Sequence, residues 1–298
     1  MTDRAIQIDN LTVRYGRNTA VDNVSLNVER GAVYALLGRN GAGKSSLIRC
    51  LLGQQKADAG GVRLFGDDVW QRRAALMQRV GVVSEDSDAP PEMSVGALAR
   101  FCRCLYARWD QAAFETRMQH FGIGLDDRFG TLSKGQKKQV SLALALAMSP
   151  DLIVLDDPTL GLDVVARKAL FEEVIGELAD RGISVFVTTH DLSGIETFAD
   201  RVGILQRGQL VLDEDADALR SRFRRIRFTA QPVALETGGL AATRMRSWGG
   251  GAEAIVSNYD DIAFERFRAA SGVSAAEIEP MTLEEIFVAV AGENGGGR

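Results

Sequence analysis

A chain of 298 residues, 46% hydrophobic and 25% charged, is long enough for one or two domains with a sizeable core. Its formal net charge of −5 argues against a nucleic-acid binder, which needs a broad basic face. No apolar run approaches the roughly 18 residues of a membrane span. The longest stretch is "SLALALAM" (Ser141 to Met148), and the start "MTDRAIQIDN" has no apolar leader. The chain is therefore expected in the cytoplasm, or at a membrane surface through a partner.

The predicted elements begin with "AIQIDNLTVRY" and "VSLNVERGAVYALLG". Both alternate or run apolar and are rich in Val, Ile and Leu, as strands are. "GRNGAGKSS" follows a strand and precedes a helix, the context a phosphate loop requires. There Gly38, Gly41 and Gly43 let the backbone of Gly38, Arg39, Asn40, Gly41, Ala42, Gly43, Lys44, Ser45 and Ser46 fold around phosphate oxygens. Lys44 supplies a point charge, and the Ser45 hydroxyl is a hard ligand for Mg²⁺. Cys50, Cys102 and Cys104 lack metal-site spacing and read as reduced thiols. From about Pro90 to Pro150 the pattern is almost all helical, which predicts a helical subdomain inserted into a sheet domain. In "MSVGALARFCRCLYARWD" the apolar residues Leu98, Phe101, Leu105 and Tyr106 recur at helical spacing and are expected mostly in its core, with a few exposed ones left to form a docking groove for a partner.

"LIVLDD" and "ISVFVTTH" are continuous apolar runs, as expected of strands buried on both faces. Between them "VVARKALFEEVIGELADRG" reads as a helix closed by Gly182. This alternation predicts an α/β fold with a mostly parallel central sheet. Asp156 ends the first of these strands, where its carboxylate can hold Mg²⁺ beside the phosphate loop; the plainer alternative is a cap on the next turn. After about Leu219 the texture changes. "RSRFRRIRFTA" is basic, and its arginines face either solvent on an edge strand or anionic lipid. "DDIAFERFRAASG" and "MTLEEIFVAVAG" read as helices, the second opened by a Thr282–Glu285 capping box. The expected division is 1–219 for the α/β domain and 220–298 for a small α+β appendage, with the tail "GENGGGR" disordered.

"LSKGQ" (Leu132 to Gln136) carries a family resemblance. With the phosphate loop and the paired aspartates, it resembles the ATP-binding cassettes, the nucleotide-hydrolysing subunits of ABC transporters, whose signature is usually LSGGQ. The resemblance implies a P-loop NTPase cassette: a mostly parallel core sheet, antiparallel N-terminal strands and an inserted helical subdomain. It implies that Ser133, Gly135 and Gln136 face the γ-phosphate held by another subunit of a dimer. Read alone, Ser133 is a good helix N-cap. Tyr15 matches the residue that stacks on adenine, or is a strand-face aromatic. Asp163, in "TLGLD", matches the loop at the subunit seam, and His190 the histidine that contacts γ-phosphate and attacking water. His120 matches nothing and reads as a solvated helix residue.

Two positions depart from the family pattern. Glu85 stands where the family usually has Gln; it can still ligate Mg²⁺, unless it is a loop acid with Asp86 or Gln78 in that role. Asp157 stands where the family usually has the Glu that polarises the attacking water. Catalysis is therefore expected from Asp157, His190, Lys44 and Glu85, and metal binding from Ser45, Asp156 and Glu85. The resemblance implies a MgATP-hydrolysing subunit of an exporter, on the inner face of the cell membrane. It would act as a homodimer, or paired with a second cassette subunit, on a separate transmembrane permease, with no nucleic acid. A cassette ATPase outside transport, or a slowly hydrolysing ATP-dependent switch, is the alternative.

Overall fold

The computed structural model describes residues 3–86, 89–190, 194–229, 239–249, 251–271, 273 and 276–292. The tail expected to be disordered, from Glu293 on, lies outside them. The chain divides between Asp213 and Glu214 into two compact units.

The first unit holds two sheets and a helical subdomain. Strands β1 (Arg4–Tyr15), β2 (Asn18–Glu29), β4 (Ala59–Leu64) and β5 (Asp67–Asp68) form an antiparallel sheet in the order β2-β1-β4-β5. The run "VSLNVERGAVYALLG" is not one strand. The chain turns at Gly31 (φ 72°), and β3 (Val33–Leu37) departs into a second sheet. That sheet has the order β10-β9-β3-β8-β7-β6, from β6 (Val80–Val83), β7 (Leu152–Asp156), β8 (Ser184–Thr189), β9 (Arg201–Gln206) and β10 (Gln209–Asp215). Pairings β6–β7, β7–β8, β8–β3 and β3–β9 are all parallel. All five residues of β3 and all six of β8 are buried, which is why their sequences run apolar without alternation. Each buried Leu, Val or Phe contributes about 1.5–3 kcal/mol.

Helix α1 (Lys44–Leu51) follows β3 directly, and α2 (Val69–Met77) follows β5. The subdomain comprises α3 (Val95–Leu105), α4 (Gln111–His120) and α5 (Lys134–Ala147) around Val95, Leu98, Phe114, Met118, Phe129 and Val140. In α3 Leu98 is buried, whereas Phe101 and Leu105 stand outside the core at 58% and 53% exposed, more of the stretch than the expected few. The inward stripe is Val95, Leu98 and Ala99, and Phe101 and Leu105, four residues apart, stand on an adjacent face. Helix α6 (Val164–Arg181) returns to β8 through Gly182, whose left-handed φ of 59° closes it as expected.

The second unit contains α7 (Ala216–Arg222), β11 (Arg224–Phe228), β12 (Ala242–Trp248), β13 (Gly251–Val256), α8 (Asp261–Ser271), β14 (Ala276–Pro280) and α9 (Leu283–Ala291). Its antiparallel sheet runs β12-β13-β11-β14. One face packs Ile226, Phe228, Ala252, Ala254 and Val256 against Phe264 and Phe267 of α8. The Thr282–Glu285 capping box opens α9. β11, the strand of the basic run, is not an edge strand, because it lies between β13 and β14. Arg225 donates to Glu285 at 2.7 Å, and Arg227 donates to Glu253 and Glu279 at 3.0 and 2.9 Å.

Candidate functional site

The segment from Gly38 to Gly43 links the end of β3 to α1, whose first residues are Lys44, Ser45 and Ser46. Gly41 and Gly43 have φ of 80° and 110°, values that L side chains rarely adopt. At Gly43 a Cβ would also stand 2.2 Å from the Ala20 carbonyl oxygen. The loop closes on itself, with Ala42 N–H donating to the Arg39 carbonyl at 3.0 Å. The Lys44 side chain is buried and folds back to donate to the Gly38 carbonyl at 2.7 Å. Tyr15, at the end of β1, accepts from the Ser46 hydroxyl at 3.4 Å and donates to Gln55 Oε1 at 2.6 Å. The Ser46 bond holds its phenol below the usual value, although the ring stays 44% exposed.

Both aspartates of "LIVLDD" stand near this loop, Asp157 beside Lys44 and Asp156 in the same cleft as Ser45. Successive strand residues point to opposite faces, so an unbroken strand would separate them. The strand ends at Asp156, and Asp157 takes a left-handed φ of 40°. Asp tolerates that region better than most residues, a local reason for Asp here that reach alone does not give. Its backbone N–H still bonds the Thr188 carbonyl of β8 at 2.9 Å. Asp157 is 6% exposed; its Oδ2 lies 3.6 Å from Lys44 Nζ, and its Oδ1 lies 2.9 Å from His190 Nδ1 and accepts the His190 backbone N–H at 3.2 Å. Asp156 accepts from the Thr188 hydroxyl at 2.6 Å. Burial pushes the Asp156 carboxyl up. The Thr188 bond opposes this, the like charge of Asp157 adds to it, and Lys44 and Lys138 pull back, leaving it above the ordinary value.

Glu85 follows β6 in an exposed turn. With Ser45 and Asp156 it lines a cleft of about 780 Å³ that runs on to Leu98, Phe101 and Tyr106. Gln78 is spent elsewhere: it donates to the Leu105 carbonyl and accepts from Ala107 N–H at 3.0 and 3.1 Å. Lys138 of α5 donates to the backbone carbonyls of Ser84 and Glu85. His120 is exposed at the end of α4, 3.2 Å from Glu173.

The signature residues do not join this cluster. Ser133, Gly135, Gln136 and Asp163 line a separate pocket together with Lys134 and Leu162. Ser133 caps α5 by accepting from Gln136 N–H, and Gln136 returns a bond to Ser133 N–H, a full capping box. Gly135 brings this helix start against α6, since a Cβ there would lie 3.3 Å from Ala166 Cβ. Asp163 caps α6 through Ala166 N–H at 2.8 Å. Beside it Val164 and Val165 are 79% and 78% exposed.

Two residues of the cluster escaped the reading of the sequence. Thr188 was signalled by hydroxyls inside the otherwise apolar "ISVFVTTH". Lys138 was signalled by its place one turn before Leu142 and two before Ala145, both buried.

The family model described as ABC transporter matches residues 21–160. The chain is 32% identical over 226 residues to a bacitracin transport ATP-binding protein of Bacillus licheniformis, covering 74% of this chain and 72% of the relative. It is 33% identical over 236 residues to a Nod factor export ATP-binding protein of Paraburkholderia xenovorans, covering 74% and 73%. A solved ATP-binding subunit of an ABC transporter superposes with a TM-score of 0.67 at 26% identity, covering 73% of this chain and 92% of that one.

Proposed function

This chain belongs to the ABC transporter family as one of its ATP-binding, ATP-hydrolysing subunits, and we propose that it powers export through a separate membrane-spanning permease. The observation that carries the reading is the division of the nucleotide machinery. The phosphate loop, Asp156, Asp157 and His190 meet in one place, while Ser133, Gly135 and Gln136 line another pocket. One nucleotide touches both sets only if a second copy, or a second cassette subunit, turns its signature toward this phosphate loop. The exposed Val164 and Val165 beside Asp163 suit such a seam.

In that dimer the loop N–H groups and Lys44 would bind the β- and γ-phosphates, with Tyr15 under the adenine. Ser45, Asp156 and Glu85 offer hard oxygens in one cleft and fit Mg²⁺. Among the described residues no three His, Cys, Asp or Glu side chains form a metal site by themselves, so the ion would arrive with the nucleotide, as Mg²⁺ commonly does. Bound there, it neutralises charge on the β- and γ-phosphates. Asp157 would orient the attacking water and take up its proton, with His190, 2.9 Å away, holding the carboxylate in place. The γ-phosphorus–oxygen bond breaks, giving ADP and phosphate. Because Asp157 is tied to Lys44 and His190 at rest, arriving phosphate must first draw Lys44 away. A slow turnover fits that arrangement.

Among the described residues no helix is long and apolar enough to cross a membrane, so the transport path would belong to the partner, with this chain on the membrane's inner face. The cleft lined by Leu98, Phe101 and Tyr106 is where it would dock. Export is favoured by the relative whose name includes export. We assign nucleotide handling to the first unit and leave the second an accessory role.

The test mixes two inactive variants, Lys44→Ala and Ser133→Arg. Each removes a different half-site, so mixed dimers regain one intact composite site. ATPase activity should rise from near zero toward a quarter of the parental rate, since about half of randomly formed dimers are mixed and each carries one good site of two. No rise above either variant, with heterodimers shown to form, overturns the composite-site reading.

A further inference from the structure

Lys44 and Lys138 are the two buried lysines among the described residues. Lys44 belongs to the phosphate loop and has Asp157 at 3.6 Å. Lys138 is 4% exposed, and its hydrogen-bond partners are the Ser84 and Glu85 carbonyls. Burying an ammonium costs several kcal/mol unless opposite charge and hydrogen bonds offset it. Its neighbours on the inward face of α5, Leu142 and Ala145, show that an apolar side chain would suit the position. Burial holds its pKa below the ordinary lysine value, although Asp156, Asp86, Glu85 and Asp157 raise it. The ammonium therefore stands in the field of every carboxylate at this corner.

Asp156, Asp157, Glu85 and Asp86 against Lys44 alone leave three negative charges unbalanced, before a polyanionic nucleotide approaches. Lys138 removes one. It also fixes the backbone from which the Glu85 side chain springs, and it does so from the helix that Ser133 caps. Resting on the function proposed above, we propose that Lys138 is a positioning residue of the hydrolysis site. Its ammonium ties the Ser84–Glu85 loop to the signature helix through the two backbone carbonyls and offsets the carboxylates around it, Glu85 among them, so that loop and helix move as one body.

The test is a double-mutant cycle in the full chain, read by binding of ATP at saturating Mg²⁺ and by the Mg²⁺ concentration that gives half-maximal binding. Lys138→Met keeps an unbranched side chain, one atom shorter, and removes the charge. It should weaken MgATP binding about tenfold, and in a Glu85→Gln background by less than threefold. Lys138→Met should also change the half-maximal Mg²⁺ concentration in the parental background and leave it within twofold in the Glu85→Gln background. If Lys138→Met does not fold, Lys138→Gln serves in the same cycle. A lysine that only supports the fold would lower the thermal midpoint in both backgrounds and leave the Mg²⁺ requirement alone. Equal losses in both backgrounds, or none in either, overturn the inference. A parent chain that binds no ATP overturns the proposed function with it, whereas a binding parent with no coupling overturns this inference alone.

Discussion

Two charged clusters in this chain are built on opposite plans. At the ends of β3, β7 and β8, buried Asp157 and Lys44 meet half-buried Asp156 and the more exposed His190, with Lys138 buried nearby. On the second unit's sheet, Arg225 and Arg227 interleave with Glu253, Glu279 and Glu285. There nearly every charge has a partner, Arg225 Nε alone lacking a hydrogen bond 3.7 Å from Glu253. In the first cluster Lys44 and Asp157 are buried, and Asp156 has the Thr188 hydroxyl but, among the described residues, no cation within ion-pair distance. In the second every glutamate has an arginine within 4 Å and the charges are only partly buried. A partly buried carboxylate left without a cation therefore separates a candidate working site from a structural ladder better than the number of charges does.

The largest expected effect breaks the comparison at the first cluster. Asp157→Asn removes the carboxylate between Lys44 and His190 and can no longer take a proton from water. Turnover should fall by about 10²-fold or more, the scale of losing a positioned acid–base group. Lys44 loses its resting partner at the same time, so MgATP should bind as tightly as in the parent or more tightly. Single-turnover hydrolysis and equilibrium nucleotide binding on the same preparation separate the two effects. Hydrolysis at the parental rate would take the water-facing role away from Asp157.

The reciprocal change is Arg225→Met. It strips Glu285 of its 2.7 Å partner and leaves Glu253 and Glu279 to Arg227. Arg225 is partly buried, so the loss should be about 1–2 kcal/mol, between exposed and buried pairs. Thermal unfolding should report it, while MgATP binding stays within twofold of the parent. A large loss of nucleotide binding in a folded variant would show that the ladder is no mere support.

The fold was legible wherever local pattern and burial agree. The continuous apolar runs of β7 and β8 gave a parallel sheet because strands buried on both faces need no alternation. The Gly182 stop and the Thr282–Glu285 box read correctly because capping is a local transaction between a backbone and its nearest side chains. What failed was whatever depends on distant partners. Nothing within "RSRFRRIRFTA" says that glutamates 26 and 52 residues on will lie beside it, so a sheet-interior strand read as an edge. Phe101 and Leu105 share the helical period of Leu98, and only the placement of α4 and α5 decides which stripe turns inward. At the site, the phosphate loop and the paired aspartates were legible as a motif. The left-handed turn that brings both carboxylates to one side, and the Thr188 and Lys138 contacts, belong to the tertiary structure.

The smallest expected effect sharpens the comparison by pH. Asp156 and Glu285 are displaced in opposite directions. Burial raises the Asp156 carboxyl and its attractive contacts do not fully restore it. Burial also pushes the Glu285 carboxyl up, but the Thr282 backbone N–H and Arg225 outweigh it and hold it below the ordinary range. A carboxyl raised on folding takes up its proton more readily in the folded chain, so acid does not unfold the protein through Asp156. Under the proposed function it would weaken Mg²⁺ binding instead, because a protonated carboxyl is a poor Mg²⁺ ligand. A carboxyl lowered on folding stabilises the chain above its unfolded value, and that stability is lost as pH falls through the folded value. On acidification the Mg²⁺-dependent part of ATP binding should therefore disappear first, above the ordinary aspartate range of about 3.9, and the second unit should weaken only at lower pH. Thr188→Val removes the 2.6 Å bond that opposes the rise, so it should move the first transition to still higher pH and leave the second where it was. ATP binding with and without Mg²⁺, measured beside thermal midpoints across the same pH series, checks both halves. Coincident transitions, or a Thr188→Val shift toward lower pH, would show that Asp156 does not set the Mg²⁺ requirement.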